Sequence, residues 1–322
     1  MKTLIINPLG AALKHYTAEL VSVLDASGAE IDLVEFPEPS AGGGTRLDWL
    51  KHHLAALWST RIHDRKLETE RKCIITWPTL GYLDTLLAAL IAPKAWIVIH
   101  DPVPLVQSVG SGKLGQLALR SIGNRARIIV HSEQAAQAVE AVSPSARVVR
   151  LPHPILPPQT RGPRVRATRP TVRVLGQYKA DRDTDLMTAI ARDFPDADFT
   201  VTGRGWPPVT GWQIDSRFVS EAEMEELISS AWTVLIPYRR FYQSGIAVRC
   251  LELGTPVVGP ADSSLSALLR SAPSLLAGSR HEEWVRAVQS GLDMPREAIL
   301  ELGVSERNTT VAKWNAHMSA RD

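Results

Sequence analysis

Residues 171–185 read TVRVLGQYKADRDTD. A β-branched run closes on Gly176, a polar turn carries Lys179 and Arg182, and a helical pattern begins at Asp183. A short apolar run that ends in glycine and passes into a helix is the opening of a βαβ unit. At the carboxyl end of such a strand, backbone N–H groups and cations can meet a phosphate. Taken alone, the two cations read as two basic residues on a surface turn, so the flanking sequence decides.

Downstream the alternation continues. Thr171–Leu175, Asp198–Gly203, Trp232–Pro237 and Pro256–Val258 read as strands. Asp183–Arg192, Glu221–Ser230, Ile246–Leu253 and Leu265–Leu269 read as helices, followed by a helical pattern over Glu282–Gly291 and a tail helix over Glu306–His317. Upstream, the stretch from Pro152 to Pro170 holds six prolines and four arginines (Arg161, Arg164, Arg166, Arg169) and has no periodic apolar face. Proline fixes the backbone and removes donors, so this stretch reads as a linker.

Before it the same alternation appears. Thr3–Asn7, Ile31–Phe36, Cys73–Trp77, Ala95–His100, Ala126–His131 and Arg147–Leu151 read as strands. Leu13–Ala26 and Trp49–Thr60 read as helices, with Ser40–Thr45 as a glycine loop. Alternation of this kind implies parallel sheets with right-handed crossovers. The expected fold class is α/β: two Rossmann-like doubly wound domains facing each other across a cleft. Their expected limits are 1–155 for the first domain, 156–170 for the linker, 171–305 for the second domain, and 306–322 for a C-terminal helix packing back on the first. Ligands in such sheets bind beyond the carboxyl ends of the strands.

Composition bounds the chemistry. The chain has 322 residues, 44% of them hydrophobic, enough for two cores, and a net charge of +2 that argues against a nucleic-acid partner. Cys73 and Cys250 lie far apart in apolar strings, which suits a reducing, cytoplasmic setting and offers no CxxC metal spacing. The longest apolar stretch, Leu86–Ile99, is broken by Pro93 and Lys94, so no membrane span is expected. The run RIHDRKLETERK at 61–72 is basic on balance, which leaves peripheral contact with the inner face of a membrane open.

Further candidate residues lie at the ends of the other strands. Thr202-Gly203-Arg204-Gly205 closes a strand on a glycine turn, and Ser244-Gly245-Ile246 opens a helix with a capping serine and a glycine that lets a ligand approach. Then comes Leu253-Gly254-Thr255-Pro256-Val257-Val258.

Taken in order, Gly176–Arg182, Thr202–Gly205 and Ser244–Val258 resemble the retaining GT-B glycosyltransferases of the glycosyltransferase group 1, or family 4-like, superfamily. Residues 219–237, VSEAEMEELISSAWTVLIP, also resemble that family, as do WIVIHDPVP at 96–104, IIVHSEQAAQAV at 128–139 and VVRLPHPI at 148–155. The resemblance covers most of the chain. It implies a hexosyltransferase using a UDP- or GDP-linked sugar with retention of configuration. The acceptor would be a lipid-linked saccharide or small molecule, and neither metal nor other cofactor would be required. Arg182 stands at the family lysine. Gly176, Lys179, Arg182, Thr202, Gly203, Ser244, Gly245 and Ile246 would hold the donor, with cations and backbone N–H groups stabilising the leaving diphosphate. His100 stands at the family histidine beside the transferred sugar. Pro8, Gly10 and His15 correspond to the acceptor-side loop. His131 and His153 read as structural.

One departure matters. The family carries two glutamates eight positions apart, and here those positions fall on Phe241 and Arg249, or on Tyr242 and Cys250. Glu252 is the acid of this helix, one turn beyond Arg249. It could take the ribose contact or pair with Arg249, while Arg249 could instead reach a phosphate. The loss favours a second reading, a catalytically weak protein of this fold that regulates an active transferase. An epimerase would need paired carboxylates, which are not evident. A nicotinamide dehydrogenase would need G-x-G-x-x-G after the first strand, and it is absent. Sugar, base, acceptor and oligomeric state are not encoded in these motifs.

Overall fold

The computed structural model describes residues 2–39, 44–66, 71–104, 110–159, 167–239 and 242–320, leaving the side chains of 62–66 and 71 aside. The chain divides into two compact units, Met1–Leu156 with Thr309–Asp322, and Pro157–Asn308.

Among the described residues the first unit has six strands: β1 (Lys2–Asn7), β2 (Glu30–Glu35), β3 (Arg71–Ile75), β4 (Ala95–Val98), β5 (Arg127–Val130) and β6 (Arg147–Arg150). They pair in the order β2-β1-β3-β4-β5-β6, all parallel. The connecting helices are α1 (Lys14–Ala26), α2 (Arg46–Lys66), α3 (Tyr82–Ile91), α4 (Lys113–Ile122) and α5 (Glu133–Val142). β1 is buried at every position after Lys2, and β4 throughout. That two-sided burial is why these strands are continuous apolar runs rather than alternating ones. Strand order reverses between β1 and β3, placing the Pro8–Gly10 loop and Thr76–Trp77 at the switch point, where open α/β sheets bind ligands.

The second unit has β7 (Thr171–Leu175), β8 (Asp198–Thr202), β9 (Gln213–Asp215), β10 (Thr233–Leu235), β11 (Val257–Pro260) and β12 (Leu276–Ala277). Its order is β12-β11-β10-β7-β8-β9, again parallel. Read from β9, this is the 3-2-1-4-5-6 order of dinucleotide-type folds, with its switch point between β7 and β10. Its helices are α6 (Thr184–Asp193), α7 (Glu221–Ser230), α8 (Gly245–Leu253), α9 (Leu265–Leu268) and α10 (His281–Asp293).

The last helix, α11 (Arg296–Ser319), begins ten residues before the expected tail helix, directly after Pro295. Its final turns belong to the first unit. There Trp314 is fully buried in a core with Ile5, Leu20, Ile74, Val98 and Ile129, and its indole N–H donates to the Pro152 carbonyl at 2.9 Å. Burial of an indole of this size is worth about 3–5 kcal/mol against alanine. Lys72, counted with the basic run 61–72, is buried and caps the end of α11. Its Nζ donates to His317 O at 3.1 Å and Ala320 O at 2.7 Å, a favourable place for a cation. Arg61 of the same run donates to Leu90 O.

The sequence reading misses β9 and β12, three and two residues long, because segments so short show no periodicity. It also overextends β10, which stops at Leu235 before Pro237, and β11 begins only after Pro256. Of the linker arginines, Arg161, Arg164 and Arg166 lie outside the described residues, as do the first four residues of the 40–45 loop. Arg169 pairs with Asp198 at 3.1 Å. Among the described residues, no helix is long and apolar enough to cross a membrane.

Candidate functional site

In the second unit the candidate donor residues gather at the switch point. β7 and β8 end side by side, and a Cβ on Gly203 would overlap the Gly176 carbonyl oxygen, so the close approach of the two strand ends requires glycine there. The Gly176 N–H donates to Thr202 O at 3.0 Å, and Thr202 is buried. The turn after β7 is pinned to the end of β10. Asp183 N–H donates to Pro237 O, Arg239 N–H donates to Asp181 O, and Arg182 bridges to Tyr238.

Arg182 is the centre of this arrangement, though not as an exposed cation on a turn. It is 4% exposed. Its guanidinium lies 4.1 Å from the Tyr238 ring centroid and 5.2 Å from that of Trp206, and Nη2 donates to Leu175 O at 2.9 Å. Two π faces and a carbonyl offset the cost of burying a charge that does not dissociate in this environment. Burial lowers the Arg182 pKa, opposed by Tyr238 and Asp181, and burial raises the Tyr238 phenol. Among the described residues, Arg182 Nε is buried without a hydrogen-bond partner, a donor that calls for an acceptor. A Cβ placed on Gly176 would lie 3.4 Å from both Arg182 Nη2 and Ile246 Cδ1, so the guanidinium and the Ile246 side chain from the first turn of α8 meet at that glycine.

Ser244 N-caps α8, its Oγ accepting from Ala247 N at 3.2 Å. The N–H groups of Gly245 and Ile246 belong to the first turn, which a helix cannot satisfy itself, and the space beside Gly245 is open. Lys179 is exposed at the rim, its carbonyl accepting from Arg182 N. Trp206 and Tyr238 were absent from the sequence candidates. The signal was an aromatic residue one to three positions beyond a strand end or a glycine turn, where side chains line the carboxyl edge.

The positions of the missing glutamates are now explicit. Arg249 is buried and turns to α7, where Nη1 lies 2.7 Å from Glu221 Oε2 and Nη2 donates to Glu221 O at 3.3 Å. Two of its donors are thereby committed to another helix. Glu252 is buried, with the positive charge of Arg307 nearby and its carbonyl accepting from Gln159 N at 2.7 Å. Phe241 lies outside the described residues. Cys250 is fully buried and its thiol is raised by that burial.

In the first unit, His100 sits two residues beyond β4 rather than on it, and is buried. Its Nε2 lies 2.9 Å from Thr76 O, so it donates to that carbonyl. Its ring stacks on Trp77 at 5.5 Å and meets the edge of Tyr16 at 4.6 Å. His131 and His153, read from sequence as structural, join the same cluster, their centroids 5.1 Å apart. The Pro8–Gly10 loop is fastened by Trp49 Nε1 to Pro8 O at 2.6 Å, by Gly10 N to Phe36 O, and by the Glu38 carboxylate accepting from Ala11 and Ala12 N–H. His15 lies on α1 with Nε2 3.3 Å from Glu19 Oε1.

No known family matches the chain, and no curated protein does. Solved structures do resemble it. A sucrose-phosphate synthase from Thermosynechococcus elongatus superposes with TM-score 0.62 at 14% identity, covering 98% of this chain and 96% of that one. An α,α-trehalose-phosphate synthase (UDP-forming) from Burkholderia xenovorans, in complex with glucose-6-phosphate, gives 0.62 at 10%, covering 99% of each. WaaG, a glycosyltransferase involved in lipopolysaccharide biosynthesis, gives 0.55 at 12% over the whole of both chains. With its two six-stranded parallel sheets and flanking helices, the chain has the GT-B fold of these glycosyltransferases.

Proposed function

We propose that this protein is a metal-independent glycosyltransferase. It takes a hexose from a UDP- or GDP-linked donor and passes it, with retention of configuration, to a lipid-linked saccharide or small-molecule acceptor. The observation that carries this reading is the meeting, at Gly176, of the buried Arg182 guanidinium with the Ile246 side chain from the first turn of α8. A fixed cation beside a helix start whose first-turn N–H groups the helix cannot satisfy itself suits a diphosphate, whose negative charge grows as the glycosidic bond breaks. Structural relatives whose names denote UDP-forming synthesis or glycosyl transfer support the same class. In this reading Lys179 adds charge at the rim, Thr202 and Gly203 shape the floor, and His100 orients the transferred sugar. The leaving phosphate accepts the acceptor's proton. Pro8, Gly10 and His15 lie on the acceptor side, and the protein acts in the cytoplasm.

The test is calorimetric titration with UDP, GDP, ADP and their sugar conjugates, followed by an acceptor screen in chelator. Micromolar binding of one nucleotide, and transfer that survives chelation, is the expected result. Loss of transfer in chelator with rescue by magnesium would overturn the metal-free mechanism. A second reading, a weakly catalytic regulator of an active transferase, draws on Arg249, which stands where the family has a carboxylate and is engaged by Glu221. Absence of binding to every nucleotide would favour it.

A further inference from the structure

Arginines elsewhere in the second unit are held by carboxylates. Arg239 pairs with Asp183 at 3.1 Å, Arg217 with Asp215 at 2.7 Å and Arg249 with Glu221 at 2.7 Å. Arg182 is held differently. Among the described residues no carboxylate is in ion-pair contact with it, and its Nε is buried without a hydrogen-bond partner. Asp181, beside it in the chain, adds charge but no bond. What touches the guanidinium is the Leu175 carbonyl and two ring faces, Tyr238 at 4.1 Å and Trp206 at 5.2 Å.

Both rings are themselves fixed. They follow β8 and β10, the strands on either side of β7, whose end Arg182 follows. Trp206 is 6% exposed, its Nε1–H donates to Gly176 O at 2.8 Å, and the Tyr178 ring meets it at 5.3 Å. Tyr238 is pinned through the backbone. It bridges to Arg182, and its neighbours Pro237 and Arg239 bond to Asp183 at 2.7 Å and Asp181 at 2.8 Å. The chemistry of the partners matters here. A carboxylate would cancel the charge of the arginine it holds, whereas a π face attracts a cation through its quadrupole and leaves the net charge in place.

We propose that Trp206 and Tyr238 are positioning residues for Arg182, their ring faces fixing the guanidinium at the end of β7 while its charge stays available to an anion. The naming of that anion as a diphosphate rests on the glycosyltransferase reading; the hold on Arg182 does not. The rings act through the arginine, and no contact of theirs with the ligand is needed. A consequence is that the seat requires arginine. The ammonium of lysine is a compact, strongly hydrated charge without the plane that lies against the rings, so it could not be held here in the same way.

The test uses the full chain, titrated calorimetrically with inorganic pyrophosphate and, labelled with ¹⁵N-arginine, read by ¹H–¹⁵N spectra. Tyr238→Leu removes one face and should weaken pyrophosphate binding about tenfold, whereas Tyr238→Phe keeps the face and should cost about twofold or less. Trp206→Leu should match the loss of Tyr238→Leu. Arg182→Lys keeps the charge and should still lose about tenfold. In an Arg182→Ala background Tyr238→Leu should add nothing, because the residue it acts through is gone. Full affinity in Tyr238→Leu or in Arg182→Lys would overturn the proposal, as would a loss in Tyr238→Leu that persists undiminished without Arg182. In wild type the Arg182 Nε–H signal, assigned by its absence from Arg182→Lys, should lie upfield under the two ring faces and exchange slowly with water. An ordinary, freely exchanging signal would overturn the hold even if no ring variant folds. Wild type that binds neither pyrophosphate nor any nucleotide diphosphate would sink the diphosphate seat and the glycosyltransferase reading, while the spectra would still decide the hold.

Discussion

The carboxyl edges of the two sheets have the same topological origin and opposite chemistry. In each, parallel strands end beside a reversal of strand order, so the residues that follow them gather at one place. In the first unit those residues are Trp77, His100, His131 and His153, which pack ring on ring, each imidazole within hydrogen-bond distance of a backbone carbonyl. In the second they are Gly176, Gly203, Tyr238 and Ser244, which leave room for an arginine between two rings and for the open end of a helix. The difference follows from how the two kinds of base respond to burial. An imidazole gives up its proton and becomes neutral, whereas a guanidinium keeps its charge and must be surrounded by π faces and acceptors.

Changes that break one edge and spare the other test this contrast. The largest effect should come from Trp314→Ala, which empties the core beneath the histidine edge. A loss of about 3–5 kcal/mol in denaturant unfolding is expected, with nucleotide binding by the remaining folded protein preserved. Arg182→Ala should act in the other unit, weakening nucleotide diphosphate binding on the order of 100-fold by calorimetry, as befits a charge-assisted contact. Equal affinity in the variant would remove Arg182 from the diphosphate seat. His100→Ala should slow transfer by about 10- to 100-fold while donor affinity holds, since a site hydrogen bond and its alignment are lost. Full turnover would exclude it from the site.

The pH response should distinguish the edges as well. The folded pKa of His131 is depressed below the ordinary value of 6.5. Below that pH the unfolded chain binds the extra proton, so stability is held above pH 6.5 and lost as pH falls. The expected slope is about 1.4 kcal/mol per pH unit for this group, until the folded imidazole itself titrates. Urea unfolding at a series of pH values would show it, and in His131→Gln the slope should shrink. The smallest effect is expected from Ser244→Ala, which removes the cap of α8 and should cost about 1 kcal/mol. An unfolding curve identical to wild type would mean the cap contributes nothing.

Much of the fold was legible because strands buried on both faces print themselves as apolar runs. IIVH at 128–131 and VRVL at 172–175 could scarcely be anything else. β9 and β12 were not legible, since three or two residues at a sheet edge carry no period. At the candidate site, Gly176, Arg182 and Ser244 could be named from strand-to-helix turns. The setting of Arg182 could not, because Trp206 and Tyr238 lie 24 and 56 positions away in sequence and meet it only once β8 and β10 are in place on either side of β7. Arg249 shows the same boundary. Its spacing suggested Glu252 one turn along the helix, whereas its observed partner, Glu221, is 28 positions away on α7.

The sequence by itself determined the alternation of strands and helices, the glycines where two backbones touch, and the residue types at each strand end. These depend on periodicity and local sterics, which act over a few neighbouring positions. Tertiary structure alone decided which strand ends adjoin, and so which imidazoles cluster beside backbone carbonyls and which rings enclose a buried cation. Those outcomes turn on strand order and packing between distant segments, where charge, burial and hydrogen-bond partners are set together.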